Sequence, residues 1–197
     1  MTELMSERRR RLLRDELGRV AIGLFAERGF DNVPVDDIVA AAGTSPRTFF
    51  RYFATKEEVV LDYERRLQER LLVALRARPP AEGAVEALRQ AYIATSHVEP
   101  ADRDRVLQVG RILEAAPALR ARANGERFAD DQPALAEVAH RLGTDANDVR
   151  VRVIVAAIGA VAATEFRAWV QGGGKGNPAK RISAALTLLE SGLGQLK

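Results

Sequence analysis

Between Ile38 and Phe53 two short apolar patterns at helical spacing are separated by only Gly43-Thr44-Ser45, and that junction most limits what the chain can build. Ile38, Val39 and Ala42 give one short helix its buried face. Pro34 suits the first turn of that helix, because the N–H it lacks would find no intrahelical partner there anyway. Gly43 falls where a left-handed C-cap is wanted, and Ser45 followed by Pro46 reads as an N-cap with a first-turn proline. Two short helices therefore meet at Gly43-Thr44-Ser45.

Around this junction the pattern stays helical. Leu13, Leu17, Val20, Ala21, Leu24 and Phe25 place one apolar stripe on a helix that Gly29 would end, with a loop from Phe30 to Val33. Thr55 to Glu58 is a capping box opening a further helix to about Arg78, where Pro79 and Pro80 stop it. Helical periodicity returns over 84–98, 103–116, 118–142 and 148–171, with a kink or break expected near Asp131, and a last helix spans about 178–195 after the glycine loop 172–177. No stretch alternates with period two and no fixed repeat is present. The expected fold is all-α with about nine helices. Its domains are a three-helix helix-turn-helix over 1–54 and a helical remainder over 55–197.

Composition narrows the chemistry. There is no cysteine, so disulfides, thiolate catalysis and cysteine zinc sites are excluded, and the chain can work in a reducing cytoplasm. Its two histidines, His97 and His140, lie far apart, and each is read as a satisfied histidine rather than a ligand. No nucleophile, base and orienter cluster or metal spacing is visible, and Gly172-Gly-Gly-Lys-Gly176 lacks the strand and hydroxyl of a phosphate loop, so neither catalysis, metal nor cofactor is expected. Arg8 to Arg11 are not followed by an apolar secretory segment, so a cytoplasmic location is expected. The apolar run Val153 to Thr164 is about half of the ~20 residues of a spanning helix, and it is read as a core helix rather than a membrane contact. Net charge is only +3, so a nucleic-acid role has to rest on where the charges lie.

The string from Thr44 to Phe53 places them usefully. A reading helix in the major groove needs an apolar face toward its own domain and a polar face toward bases. Phe49 and Phe53 share one face as a clamp, while Arg47, Thr48, Arg51 and Tyr52 fall on others. Arg47 can fork to guanine O6 and N7, Thr48 and Tyr52 can bond phosphate or a thymine edge, and Lys56 adds charge beside the start of the next helix. Arg8 to Arg11, placed ahead of the first helix, read equally as an arm grazing DNA and as a solubilising tail.

Phe25 to Phe30, Val35 to Gly43 and Ser45 to Lys56 together resemble the N-terminal module of TetR family regulators, over roughly Leu12 to Val60. The resemblance implies base contacts from Pro46 and Arg47 and phosphate or sugar contacts from Thr48, Phe50, Tyr52 and Lys56, with Ser45 and Arg51 beside them. Two departures stand out: Val33-Pro34 offers no hydroxyl where the family often has threonine, and Phe50 replaces the commoner tyrosine, so its ring packs but cannot donate to phosphate, a loss Arg51 is placed to offset. The strings Arg47 to Phe53 and Pro117 to Arg122 are also similar to an actinobacterial subgroup with mycofactocin-associated regulators, for which acyl-CoA ligands are implied.

The resemblance further implies ligand sensing and dimerisation in the C-terminal half. The run Val153 to Ala163 is apolar all round, and with Ile182, Leu186, Leu188, Leu189 and Leu193 of the last helix it suits half of a two-fold four-helix bundle in a homodimer. Effector candidates are polar or aromatic residues on otherwise apolar faces: Tyr92, Thr95, Ser96, Arg111, Glu114, Phe128, Glu165, Phe166 and Trp169, with Trp169 read mainly as packing. The expectation is thus a dimeric repressor that holds a palindromic double-stranded operator and is released by a small hydrophobic or amphipathic effector. The alternative is a helical adaptor or pocket protein without a DNA-binding role.

Overall fold

Helix α1 (Thr2–Arg28) ends where Gly29 takes φ +85°, a conformation that only glycine adopts without strain, and Asn32 Nδ2 donates to the Arg28 carbonyl at 2.9 Å. The computed structural model describes residues 2–130 and 132–192, and of their side chains those outside 2–6 and 127–130. Beyond α1 the described elements are α2 (Val35–Ala41), α3 (Pro46–Tyr52), α4 (Glu57–Arg76), α5 (Ala84–Thr95), α6 (Arg103–Ala115), α7 (Pro117–Asp130), α8 (Gln132–Leu142), α9 (Val149–Gln171) and α10 (Pro178–Ser191). All are helices, nine in number if α7 and α8 count as one. Asp131, where a break was expected, lies outside the described residues, as do Leu193 and the expected last turn to Gln195.

Arg8 to Arg11 do not precede the first helix, as the sequence reading had it; they lie within α1 with exposed side chains. Arginine is a good helix former and Glu7 stands four residues before Arg11, the favourable order for an ion-pairing spacing, so the helix begins earlier than its apolar stripe.

The chain packs as two compact units. One comprises Met1–Glu64 and Asp104–Ala123, so it reaches past residue 54 and takes in a distant stretch of sequence. Its core joins Leu17, Ala21, Ile22 and Phe25 of α1, Ile38 of α2 and Phe49 of α3 to Val59, Val60 and Leu61 of α4 and to Val109, Ile112 and Leu119. Pro34 stands at the N-cap of α2 rather than inside its first turn and makes no side-chain capping bond; Asp36 and Asp37 complement the positive helix end instead.

The other unit comprises Arg65–Arg103 and Asn124–Lys197, with α5, α8, α9 and α10 packed on one another. Leu75, Leu88, Val138, Val151, Ile182 and Leu186 lie at its centre. Trp169 is buried as packing, its Nε1 donating to the Gly176 carbonyl at 3.1 Å. Arg141 of α8, with only 5% of its side chain exposed, pairs with Glu137 and donates to the carbonyls of Leu75, Arg78 and Pro79 at 3.0 to 3.1 Å. The Leu75 and Pro79 carbonyls also accept from the Arg78 and Glu82 N–H groups at 3.2 and 3.0 Å, so Arg141 adds a second donor where α4 ends. Asp148 caps α9, and the Arg150 guanidinium, the Arg150 backbone N–H and the Thr144 hydroxyl hold its carboxyl well below the usual carboxylate range.

Helix α9 is long and apolar enough, by length and composition, to cross a membrane. Val151, Val155, Ile158 and Ala162 are buried within the unit. Val149, Val153, Ala156 and Ala160 are exposed at spacings of four, three and four, so the core-helix reading holds for one face only.

Candidate nucleic-acid interface

The turn expected between the two short helices forms by a pair of crossed backbone bonds. Gly43, at φ +61°, donates to the Ala40 carbonyl at 3.2 Å and Thr44 donates to the Val39 carbonyl at 2.9 Å, the paired pattern of a glycine C-cap. Ser45 then caps α3, its Oγ accepting from the Thr48 N–H at 3.3 Å and lying 3.1 Å from Thr48 Oγ1, with Pro46 in the first turn. The Ser45 hydroxyl is thereby engaged in building the helix.

Helix α3 is seven residues long, and tertiary contacts hold it. Phe49 is fully buried and Phe53 is 2% exposed, their ring centroids 5.6 Å apart, as the aromatic clamp required. Arg14 of α1, which sequence reasoning missed, pairs with Asp62 of α4, and its guanidinium lies 5.4 Å from the centre of the Phe53 ring. Facing away from the core, Pro46, Arg47, Phe50 and Arg51 are exposed, and Thr48 and Tyr52 are half-buried. Arg47 has no ion-pair partner among the described residues. Arg51 leans on its neighbour, its guanidinium 5.0 Å from the Tyr52 ring centre and one nitrogen 3.4 Å from the Tyr52 hydroxyl.

Lys56 is placed differently from the expectation of a charge waiting for phosphate. Its Nζ donates to the carbonyls of Phe30, Asp31 and Val33 at 2.8, 3.3 and 3.3 Å and lies 4.7 Å from the centre of the Phe30 ring. It pins the loop between α1 and α2. Of the capping box, Thr55 Oγ1 accepts from the Glu58 N–H at 3.4 Å, while the Glu58 carboxylate pairs with Arg122 at 3.0 Å.

The effector candidates fall in both units. Arg111, exposed, and Glu114 belong to the first unit, where Glu114 Oε1 is buried with no hydrogen-bond partner among the described residues. Tyr92, Thr95, Ser96, Glu165, Phe166 and Trp169 belong to the second. Phe166 and Trp169 stack at 5.6 Å, and Glu165 pairs with Arg181 at 3.4 Å. Thr95 bonds back to the Ala91 carbonyl at 2.8 Å, Ser96 is the C-cap of α5, and a side chain at Gly159 would meet the Tyr92 hydroxyl at 3.1 Å. The side chain of Phe128 lies outside the described residues. His97 is satisfied as expected, with Nδ1 2.5 Å from Asn177 Nδ2 and Nε2 3.1 Å from Glu99.

Comparison with known proteins places these features in a wider setting. Residues 19–63 match the family described as bacterial regulatory proteins, tetR family, and residues 82–194 match the MftR C-terminal domain. The chain is 35% identical over 173 residues to the HTH-type transcriptional regulator TcmR of Streptomyces glaucescens, covering 84% of this chain and 76% of that protein. It is 30% identical over 168 residues to MftR of Mycobacterium tuberculosis, named as a mycofactocin biosynthesis transcriptional regulator, covering 83% of each. Among solved structures, FadR of Bacillus subtilis in complex with stearoyl-CoA superposes with a TM-score of 0.66 at 20% identity, over 90% of this chain and 98% of that one. FadR of Thermus thermophilus in complex with lauroyl-CoA gives 0.56 at 24% identity, over 91% and 94%.

Proposed function

Since the chain belongs to the TetR family of bacterial transcriptional regulators, we propose that it acts as a dimeric repressor in the cytoplasm, holding a palindromic operator until a small hydrophobic or amphipathic effector releases it. The observation that carries this reading is α3: a helix too short to stand alone, clamped by Phe49 and Phe53 and turning Arg47 and Arg51 outward. Residues 1–54 carry the DNA-binding role, and residues 55–197 carry effector binding and dimerisation.

One such helix covers few base pairs, so a second copy related by a dyad is needed to read a half-site about one helical turn away or more. The exposed faces of α9 and α10 supply a surface for it. Val149, Val153, Ala156 and Ala160 on α9, with Ala184 and Leu188 on α10, are apolar and small enough for a partner helix to approach closely. An effector that prefers the conformation with the wrong spacing of reading helices then lowers operator affinity by its difference in affinity for the two states. Long-chain acyl-CoA thioesters are the first effector class to test, being amphipathic and bound by the two FadR proteins whose fold this chain resembles.

A gel shift and footprint on the DNA flanking its own gene tests the reading. Protection of a palindrome is expected, with Arg47→Ala weakening binding by about 1–3 kcal/mol and leaving the melting temperature unchanged, because Arg47 is exposed. A folded dimer that protects no sequence sinks it.

A further inference from the structure

We infer that Phe50 is a specificity-determining residue that reads the 5-methyl group of a thymine in the operator, an inference that rests on the DNA-reader function proposed above. Phe50 is 54% exposed although Phe49 on the same seven-residue helix and Phe53 at its C-cap are buried. At about 100° per residue, Arg47, Phe50 and Arg51 fall within an arc of about 100° that leaves out the buried pair, with Phe50 at the edge about 60° from Phe53. An apolar ring therefore stands at one edge of the outward surface of α3, beside Arg47 and Arg51.

The ring is held there. It meets the buried Phe49 edge-on, with centroids 5.5 Å apart and planes at 90°, so the neighbour that anchors α3 also fixes the direction of Phe50. Having no hydroxyl, it offers no hydrogen bond to phosphate. In the major groove the apolar group that distinguishes one base from the others is the thymine 5-methyl, and apolar contact is how a side chain recognises it. Arg47 and Arg51 supply the charge that brings the helix to the duplex.

Deoxyuridine tests this directly, since it removes the methyl and keeps every hydrogen-bonding group of thymine. An operator is first recovered by the wild-type protein from a pool of random duplexes, and each of its thymines is then replaced in turn by deoxyuridine. Wild type, Phe50→Ala and Phe50→Leu are titrated against the series at one reduced salt concentration, where phosphate contacts keep the variants bound. At one or two thymines of a half-site the replacement is expected to weaken wild-type binding about fourfold, the worth of burying one methyl group. Phe50→Ala is expected to bind thymine and uracil alike there, and Phe50→Leu to keep part of the difference. The inference is overturned if no thymine shows the methyl effect, or if the effect persists in Phe50→Ala; a Phe50→Ala defect that ignores the methyl would mean that the ring packs on sugar instead. Failure of the wild type to recover any duplex overturns the DNA-reader function itself, a result distinct from methyl-independent binding.

Discussion

Helices α3 and α9 solve opposite problems. The seven residues of α3 bury Phe49 and face outward with two arginines and the Phe50 ring, whereas the 23 residues of α9 bury one apolar face and leave a second uncovered. A short helix cannot persist on its own hydrogen bonds, so nearly everything about α3 is fixed by the caps and clamps that hold it. A long Ala- and Val-rich helix needs no such help, and its exposed face is free to answer to a partner. The outward chemistry of each suits the partner proposed for it: charge with an apolar ring for a duplex, small aliphatic residues for another helix.

The sharpest way to break this contrast is to unclamp α3. Phe49→Ala is expected to destabilise the first unit by about 3–5 kcal/mol in denaturant melts, because a large fully buried ring is lost and the short helix cannot collapse around the void without losing its other anchor. An effect under 1 kcal/mol would mean that α3 is held by its caps alone. In the second unit the equivalent weak point is not on α9 at all. Arg141→Ala is expected to cost about 3 kcal/mol, since it leaves Glu137 without its partner and takes the buried side-chain donor from three backbone carbonyls, and Arg141→Lys should not restore it, a single ammonium being unable to fork to all of them.

Charging the uncovered face tests the other side of the comparison. Val153→Glu places like charges across a two-fold interface, and about 2–3 kcal/mol of association should be lost in sedimentation equilibrium while the melting of the isolated chain stays unchanged, because Val153 is 58% exposed. Unaltered association would move the interface away from α9. The smallest effect concerns the start of that helix. Asp148 has a depressed folded-state pKa, so its contribution is fully present above its unfolded value of about 3.9 and is lost as the pH falls through the lower folded one. Wild type and Asp148→Asn should therefore differ by a constant amount between pH 5 and 8 and converge below pH 4, the exposed Arg150 pair being screened by salt.

How much of this was legible in the sequence follows from the range of the forces involved. The C-cap at Gly43, the Ser45 cap, the proline after it and the Phe49–Phe53 clamp act over a few residues, and the sequence reading found all of them. Lys56 stands at a DNA-contact position of the motif, and its ammonium is also engaged 23 to 26 residues back along the chain, which no local pattern reports. Arg141 reaches back 62 to 66 residues; the two prolines, which have no N–H to give the last turn of α4, are the only local hint of it. The grouping of α6 is illegible for a related reason. Periodicity shows that a residue such as Arg111 or Glu114 lies on a given face of α6, but not that residues 104–123 pack with the N-terminal unit.

Arg141 also bears on when the end of α4 opens. Last turns of helices ordinarily fray, and their amides exchange with solvent long before the core does. Here the carbonyls of Leu75, Arg78 and Pro79 are gathered onto one buried guanidinium, so releasing them requires α8 to let go as well. The amides of Ala77 and Arg78, which donate to Val73 and Leu75, should then exchange on the slow timescale of the core around Leu75, although they stand next to an exposed diproline turn. A helix terminus would thus keep the clock of a helix interior.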